Sequence, residues 1–321
     1  MAFNWKTFQT RTGTAALFAV VMVAGLTLHA WTYFLLFSII HFGCWMEYQK
    51  LIRKMDPEYG ELNVFHKYGV MIAGWCLLLW FSPDQCRIGG FPMHEAGWWI
   101  GLAIIFALPL MELLLSKQIR LKHIAYSAFG LVYISLSLGF MMDLFGFPER
   151  QFSLVFRDGI TIKAEYALKN APNMREFSLF RFPWILPAII IAIIWINDTM
   201  AYIVGSLIGK TPLSKISPKK TWEGTIGGII LAVGVTGWLC GTLFPFAGTG
   251  FSLTIPTYTW YLLAGVVAIT GTVGDLLESK LKRMAGVKDS GHFMPGHGGF
   301  LDRFDSLLLA IPFAWLYLLI I

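Results

Sequence analysis

Long apolar runs alternate along the chain with short polar segments. Most runs have about 15 to 25 residues, and a helix of roughly 20 residues crosses a hydrocarbon core of about 30 Å. The first two runs are separated only by "HAW", which predicts a tight helical hairpin or one broken unit. The pattern predicts nine membrane-spanning helices, near residues 13–29, 31–46, 66–82, 97–115, 122–145, 183–207, 223–245, 257–277 and 304–321.

Composition excludes an ordinary soluble domain. Of 321 residues, 56% are hydrophobic and 14% are charged, whereas soluble domains have about 25% charged residues. The mean hydropathy is +0.62, and a soluble chain could not bury this much apolar surface. The predicted fold class is therefore all-α, a polytopic integral membrane protein. Lys6 and Arg11 precede the first run as in a signal peptide, but no small-x-small cleavage site follows, so we expect a retained anchor.

The distribution of Lys and Arg predicts the orientation. With the N-terminus in the cytoplasm, most of the 25 basic residues fall in cytoplasmic segments, as the positive-inside rule requires. The net charge of +6 then indicates a basic face toward anionic lipid headgroups or phosphates and no nucleic-acid partner. This orientation predicts that the N-terminus and a polar active-site cavity face the cytoplasm. The absence of organelle-targeting features fits an integral protein of a bacterial inner membrane.

Unusual polar clusters are concentrated in the C-terminal half. We therefore predict an N-terminal transmembrane scaffold (1–145), an external loop insert (146–181) that could form a small hairpin, and a catalytic transmembrane domain (182–321). His41 and Glu112 are the main ionisable residues at depth in the scaffold. The four cysteines show no C-x-x-C spacing, which supports neither a zinc site nor a disulfide framework.

The first cluster is Asn197-Asp198, inside the apolar run "IIIAIIWINDTMAYIVG". An Asp at the centre of a membrane helix costs roughly 2.5–3.5 kcal/mol on insertion scales. Asp198 should therefore face a partner or a polar cavity open to the cytoplasm. A structural hydrogen bond between helices is the alternative to a functional carboxylate.

The second cluster is "GKTPLSKISPKKTWEGTIGG", residues 209–228. Ser217-Pro218 is typical of a helix N-cap followed by proline, which predicts a helix start with Lys219 and Lys220 in its first turn. Free N–H groups at such an end favour a phosphate. An ordinary positive-inside loop is the alternative, although Glu223 weakens it. No Walker-type phosphate loop is present, because "GSLIGKT" is one residue short of the pattern.

The third cluster is "TGTVGDLLESKLKR", residues 270–283. On a helix, Asp275, Glu278 and Ser279 share one face. Two carboxylates on one face are typical ligands of a hard cation. A salt bridge from Lys282 to Glu278 is the alternative.

The fourth cluster is "KDSGHFMPGHGGFLDRFDS", residues 288–306. Gly298 and Gly299 permit a close approach of the backbone to phosphate oxygens. Asp302 and Asp305 supply another pair of oxygen ligands at a helix start. The combination of carboxylates for Mg²⁺ with lysines and backbone donors for phosphates indicates phosphoryl or nucleotidyl transfer to a lipid.

The segment "SKLKRMAGVKDSGHFMPGHGGFLDRFD", Ser279 to Asp305, resembles the signature of the phosphatidate cytidylyltransferases, also called CDP-diacylglycerol synthases. The resemblance covers about 197–306, with Met294 where Leu, Ile or Phe is usual. It implies transfer of the cytidylyl group of CTP to phosphatidate, giving CDP-diacylglycerol and pyrophosphate, with Mg²⁺ required. It also suggests an auxiliary monovalent cation such as K⁺.

The resemblance implies a role for each matching position. Asp275 and Asp302 are similar to the metal-binding carboxylates, with Glu278 and Asp305 in support at the metal. His297 occupies a place for a general acid, a general base or a phosphate donor, and the sequence leaves that choice open. The predicted catalytic residues are Asp275, Asp302, Lys282 and His297; the predicted substrate-binding residues are Asn197, Asp198, Lys219, Lys220, Arg283, Lys288, Gly298, Gly299 and Arg303.

Two other functions are considered. One is a CTP-dependent transferase or kinase acting on another lipid, such as a polyprenol. The other is an ion-coupled transporter, although transporters usually show repeated halves and this chain places its polar clusters in one half. The expected partners are CTP, phosphatidate and membrane lipids, and a homodimer is allowed for.

Overall fold

The computed structural model describes residues 5–115, 120–145, 182–243, 257–291, 293 and 298–320, with side chains from residue 13 onward. Within these residues the protein is almost entirely helical, as predicted. Two short elements lie between helices, the 3₁₀ turn Pro57–Glu61 and the hairpin of Arg87–Ile88 with Phe91–Pro92. The nine helices of the described residues are α1 Trp5–Thr27, α2 Ala30–Met55, α3 Val64–Trp80, α4 Met93–Leu115, α5 Leu121–Leu144, α6 Ile185–Ile208, α7 Trp222–Leu243, α8 Thr257–Met284 and α9 Leu301–Ile320.

Six of these helices, α4 to α9, are long and apolar enough to cross a membrane. The predicted count of nine spans is not confirmed. Helix α3 has 17 residues, fewer than the roughly 20 residues that a span requires. Helix α2 has 26 residues, but its second half carries Glu47, Lys50, Arg53 and Lys54. With six apolar helices of this length, the protein is an integral membrane protein.

A capped break separates α1 from α2. The His29 ring accepts a hydrogen bond from Trp31 N (3.2 Å), while Thr32 Oγ1 accepts one from His29 N (3.1 Å). This reciprocal capping satisfies backbone donors that would otherwise lack partners at the start of α2. The chain therefore forms two helices rather than one interrupted helix.

Two compact units are distinguished. The first comprises Met1–Met142 and Val273–Pro312, and the second comprises Asp143–Thr272 and Phe313–Ile321. Residues distant in sequence thus share the first unit. The predicted division into scaffold, insert and catalytic domain stays a prediction, and residues 146–181 lie outside the described residues.

Buried polar side chains connect the helices of the first unit. His41 Nε2 lies 3.0 Å from Ser135 Oγ, which also accepts a hydrogen bond from Trp45 Nε1 (2.8 Å). Ser135 lies in a π-helical turn, Leu131–Leu136, within α5; such turns occur mostly as single bulges inside α-helices. The two ionisable residues predicted at depth are therefore partnered, since Glu112 Oε2 lies 3.1 Å from His66 Nδ1.

In the second unit, α6 and α7 pack at small residues. A Cβ on Gly224 would come within 2.6 Å of the Ala201 carbonyl oxygen, and one on Gly228 within 2.8 Å of the Asn197 carbonyl oxygen. Such close backbone approach is typical of helix pairs in membranes, where small residues increase van der Waals contact. This packing fixes the loop between α6 and α7.

Candidate active site

The polar face predicted on α8 is present. Ser279 Oγ lies 3.3 Å from Asp275 Oδ1, and Lys282 pairs with Glu278 four residues before it. Lys282 Nζ also donates to Asp302 Oδ1 at 2.7 Å. The salt bridge considered as the alternative to a cation site therefore forms, and it extends to a second carboxylate on α9.

Asp302 is held at the start of α9 by converging donors. Its Oδ2 accepts hydrogen bonds from the backbone N–H of Ser290 (2.9 Å) and of Gly299 (2.8 Å). Ser290 Oγ lies 2.9 Å from the same oxygen. A carboxylate near a helix N-terminus is also stabilised by the free N–H groups there. Asp302 is thus fixed in one orientation, with its other oxygen facing Lys282.

Helices α8 and α9 meet at these carboxylates. A Cβ on Gly274 would lie 2.6 Å from the Asp305 carbonyl oxygen and 3.2 Å from Ser306 Cα. Asp275 follows Gly274 directly, and Asp305 lies one turn beyond Asp302. The four predicted metal ligands therefore belong to one helix–helix contact within the first unit.

Glu278 is the most deeply buried of these carboxylates, with 0% of its surface exposed. Among the described residues, neither of its oxygens makes a hydrogen bond of normal geometry, and Lys282 is its ion-pair partner. A buried carboxylate requires a compensating charge. Hard oxygen ligands with spare coordination capacity beside Asp302 fit Mg²⁺, which binds through one or two carboxylates plus substrate phosphates.

Sequence reasoning missed Glu47. This residue of α2 is 5% exposed, and its Oε2 accepts hydrogen bonds from Ser290 Oγ (2.7 Å) and Leu301 N (2.9 Å). The second predicted span ended at residue 46, which placed Glu47 in a loop. Its signal was a carboxylate among aromatic residues in "HFGCWMEYQK", where α2 continues as one helix to Met55.

The predicted basic ligands of the first unit differ in exposure. Lys282 is largely buried within the carboxylate cluster. Arg283, Lys288 and Arg303 are exposed. Arg283 and Arg303 are neighbours in sequence of the two clustered residues Lys282 and Asp302. Substrate contacts of Arg283 and Arg303 stay predictions, whereas Lys282 pairs with two carboxylates.

The glycine-rich segment contributes a hydrogen bond to Asp302. Gly299 donates its N–H to Asp302 rather than leaving it for a phosphate. Gly298 has φ +82°, a backbone conformation that favours glycine, and a Cβ there would lie 2.7 Å from Asp302 Oδ2. His297 lies outside the described residues.

The predicted helix start at Ser217 is wrong. Helix α7 begins at Trp222, and Thr221 Oγ1 accepts the hydrogen bond from Gly224 N at 3.2 Å. Lys220 N instead donates to the Ser217 carbonyl oxygen (3.1 Å), so Pro218 occupies the second position of a β-turn, where its fixed φ is equally favoured. Lys219 in this turn is exposed.

Glu223 organises the loop before α7. Its carboxylate accepts hydrogen bonds from Lys210 N (3.1 Å) and Thr211 N (3.2 Å) at the end of α6. Trp222 N donates to the Thr211 carbonyl oxygen (2.9 Å). Backbone hydrogen bonds therefore hold this loop, and its lysines precede α7 instead of lying in the first turn of a helix.

Asn197 and Asp198 face different surroundings in the second unit. Asn197 is 3% exposed, and its Nδ2 donates to Thr272 Oγ1 at 3.2 Å. Asp198 is exposed. Asn197 thus makes the interhelical hydrogen bond considered for this cluster, and the substrate contact of Asp198 stays a prediction.

A separate cluster of possible metal ligands lies at the end of α2. Single ligand atoms of Asp56, Glu58 and His123 lie within 4.8 Å of one another. However, Lys122 Nζ lies 3.0 Å from Asp56 Oδ2, and Arg120 pairs with Glu58. These pairs form an ion-pair network between the chain that follows α2 and the start of α5.

Comparison with known proteins identifies the family. The chain matches the cytidylyltransferase family over residues 9–321. It is 36% identical over 219 residues to the phosphatidate cytidylyltransferase of Staphylococcus epidermidis, covering 65% of this chain and 76% of that protein. It is 44% identical over 127 residues to that of Bacillus subtilis, covering 39% of this chain and 44% of that protein.

The phosphatidate cytidylyltransferase of Staphylococcus aureus is 35% identical over 200 residues, which are 61% of this chain and 68% of that protein. These matches confirm the resemblance to the phosphatidate cytidylyltransferases. The chain belongs to the cytidylyltransferase family.

Proposed function

We propose that this protein transfers the cytidylyl group of CTP to phosphatidate, giving CDP-diacylglycerol and pyrophosphate. The observation that carries the proposal is the buried array of Glu278, Lys282 and Asp302 at a helix–helix contact in a chain of this family. Relatives that share 35–44% identity are named for this reaction. A membrane enzyme also suits a lipid acceptor. A transporter is not favoured, because the family is one of transferases.

The proposed reaction is a displacement at phosphorus. A phosphate oxygen of phosphatidate forms a bond to the α-phosphorus of CTP, and the bond from that phosphorus to the oxygen bridging toward the β-phosphate breaks. Pyrophosphate leaves with the electron pair of the broken bond. The protein's task is positioning and charge stabilisation, since little covalent chemistry falls to side chains in such transfers.

The carboxylates of α8 and α9 would hold Mg²⁺. When bound, Mg²⁺ would neutralise triphosphate charge and polarise the reacting phosphorus. The proposed ligands are Asp275 and Asp302, with Glu278 and Asp305 in support. A monovalent cation such as K⁺ beside them is a further part of the proposal.

Lys282 sets the charge balance of the proposed site. Its ammonium group contacts Glu278 and Asp302, so it keeps two neighbouring carboxylates from repelling each other before substrate binds. The cost of burying them is thereby reduced. Lys282 also orients Asp302 through Oδ1, which leaves the cluster preorganised for incoming phosphates.

The exposed basic residues would bind the substrates' phosphates. In the first unit these are Arg283, Lys288 and Arg303. For the second unit, substrate contacts of Lys219, Lys220, Asn197 and Asp198 stay predictions. We further propose a bacterial inner-membrane location with the site and N-terminus facing the cytoplasm, where CTP is present. His297 and a homodimer stay predictions.

A direct assay tests the proposal. Purified protein in mixed micelles with phosphatidate, CTP and Mg²⁺ should form CDP-diacylglycerol and release equal pyrophosphate. Asp302→Asn should lose activity by about 10³-fold, as expected from removing a charge that acts in the transition state. Asp84→Asn, at an exposed carboxylate, is the control and should retain activity. Binding of Mn²⁺, followed by paramagnetic resonance without substrate, should weaken in Asp302→Asn.

Wild-type protein that is folded yet yields no product with phosphatidate or with other phospholipid and prenyl acceptors would refute the proposed reaction. Equal activity of Asp302→Asn and wild type would refute the assigned site.

A further inference from the structure

Glu47 joins two parts of the first unit that are far apart in sequence. Its Oε2 accepts hydrogen bonds from Ser290 Oγ at 2.7 Å and from Leu301 N at 2.9 Å. These donors lie 243 and 254 residues after it. One carboxylate on α2 therefore fixes both ends of the segment that leads into α9.

The surrounding chain is shaped to admit this carboxylate. A Cβ on Gly291 would lie 2.1 Å from Glu47 Oε1, and one on Gly299 would lie 2.2 Å from Oε2. One turn earlier on α2, a Cβ on Gly43 would lie 2.4 Å from the ring of Phe300. Glycine at these positions lets α2 lie directly against the segment, so the Glu47 contact is close and specific.

Ser290 connects Glu47 with Asp302. A hydroxyl carries one hydrogen, so Ser290 Oγ can donate to only one of the two carboxylates at a time. Its backbone N–H donates to Asp302 Oδ2 at 2.9 Å, which leaves the hydroxyl for Glu47. Leu301, the second donor to Glu47, directly precedes Asp302 in the chain. Glu47 is thus connected to Asp302 in two ways, through the hydrogen bonds of Ser290 and through the backbone of Leu301.

We propose that Glu47 is a positioning residue for cytidylyl transfer, which holds Ser290 and Leu301 so that Asp302 faces Lys282. This inference rests on the proposed function. Glu47 does not touch the reacting atoms; it supplies the support that keeps a functional carboxylate within about 0.5 Å of its productive place. A carboxylate from the predicted scaffold half thereby becomes part of the site.

The test separates positioning from general stability. Glu47→Ala should lower kcat by about 10²-fold, because a displacement of about 1 Å at a reacting centre can cost that much, with KM for CTP changed little. Glu47→Gln retains an oxygen acceptor for both donors and should recover most of that loss. Tyr48→Phe is the matched control, since it removes a hydrogen bond of the next residue on α2, from Tyr48 Oη to the Tyr126 carbonyl oxygen (2.7 Å).

Thermal stability is measured for every variant in detergent. Tyr48→Phe should lower the melting temperature while its kcat stays within about 2-fold of wild type, since it lies outside the site. If Glu47→Ala retains wild-type kcat at temperatures where it is folded, Glu47 only stabilises the fold and the proposal is overturned.

A double-mutant cycle with Ser290→Ala tests the route, and Ser290→Ala by itself serves if Glu47→Ala does not fold. Residues that act through one network show non-additive effects, so Glu47→Ala should change kcat less in the Ser290→Ala background than in wild type. Wild-type kcat in Ser290→Ala would overturn the proposal. Absence of CDP-diacylglycerol from wild type would instead refute the proposed function, so the two failures are distinguishable.

Discussion

The carboxylate cluster of the first unit and the lysine loop of the second are both charged, but they are built in opposite ways. In the cluster, Glu278 and Asp302 are buried around one ammonium group, and Asp302 receives several hydrogen bonds. In the loop, Lys219 is exposed on a β-turn, and Glu223 accepts hydrogen bonds from the backbone N–H groups of Lys210 and Thr211. The charges of the carboxylate cluster are buried, whereas Lys219 in the loop is exposed to solvent.

This difference follows from solvation. A buried charge needs a partner and hydrogen bonds because removal from water is costly, so each member of the cluster depends on the others. An exposed lysine retains its water and interacts with a ligand through a screened field. We therefore expect large, non-additive effects of substitution in the cluster and small, salt-dependent effects in the loop.

The largest effect is expected at Lys282. Lys282→Ala leaves Glu278 and Asp302 without their shared cation, and breaking a buried ion pair costs about 3–5 kcal/mol. The variant should lose activity, and its melting temperature, measured in detergent, should be much lower than that of wild type. Lys280→Ala, at an exposed lysine of the same turn, is the control and should resemble wild type.

A double substitution sharpens this prediction. Lys282→Met with Glu278→Gln removes both charges, so the melting temperature should recover while CDP-diacylglycerol formation stays low. An unchanged melting temperature in Lys282→Ala alone would contradict the view that the cluster is mutually dependent.

An intermediate effect is expected at Gly299. In Gly299→Ala the added methyl would meet Glu47 Oε2 at 2.2 Å, so that carboxylate must swing away from Ser290 and Leu301. Activity should fall by about 10²-fold, as for a misplacement of about 1 Å. Gly234→Ala in α7 is the control, because nothing lies within 4 Å of a Cβ there, and it should keep full activity. Equal activities of the two variants would refute the role of the Glu47 contact.

The smallest effect is expected in the loop. Lys219→Ala should raise KM for CTP or phosphatidate by roughly 2- to 5-fold, with no change in melting temperature, because exposed charges contribute little to stability. The rise in KM should diminish at high salt, where the field is screened. Lys215→Ala, at another exposed lysine of this loop, is the comparison. A large loss of kcat or of stability in Lys219→Ala would contradict the view that Lys219 acts only as an exposed charge.

Local patterns predicted an all-helical chain and the shared polar face on α8 correctly, but not the number of membrane-spanning helices. Apolar runs give helices wherever burial in lipid or protein is the main force, and the spacing of Asp275, Glu278 and Lys282 settles their shared face on α8. The start of α7 was mispredicted, since Ser217-Pro218 suits a β-turn as well as an N-cap. Thr221 caps the helix instead, because its Oγ1 accepts the hydrogen bond from Gly224 N.

The sequence by itself determined the membrane class, the family and the acidic residues of the proposed site, because these depend on composition, spacing and motif. The tertiary structure decided that Lys282 lies between Glu278 and Asp302, and that Glu47 completes their surroundings. No local pattern joins residue 47 to residue 301. Only packing of α2 against the start of α9 brings that carboxylate to its donors, and buried polar groups are almost always hydrogen-bonded.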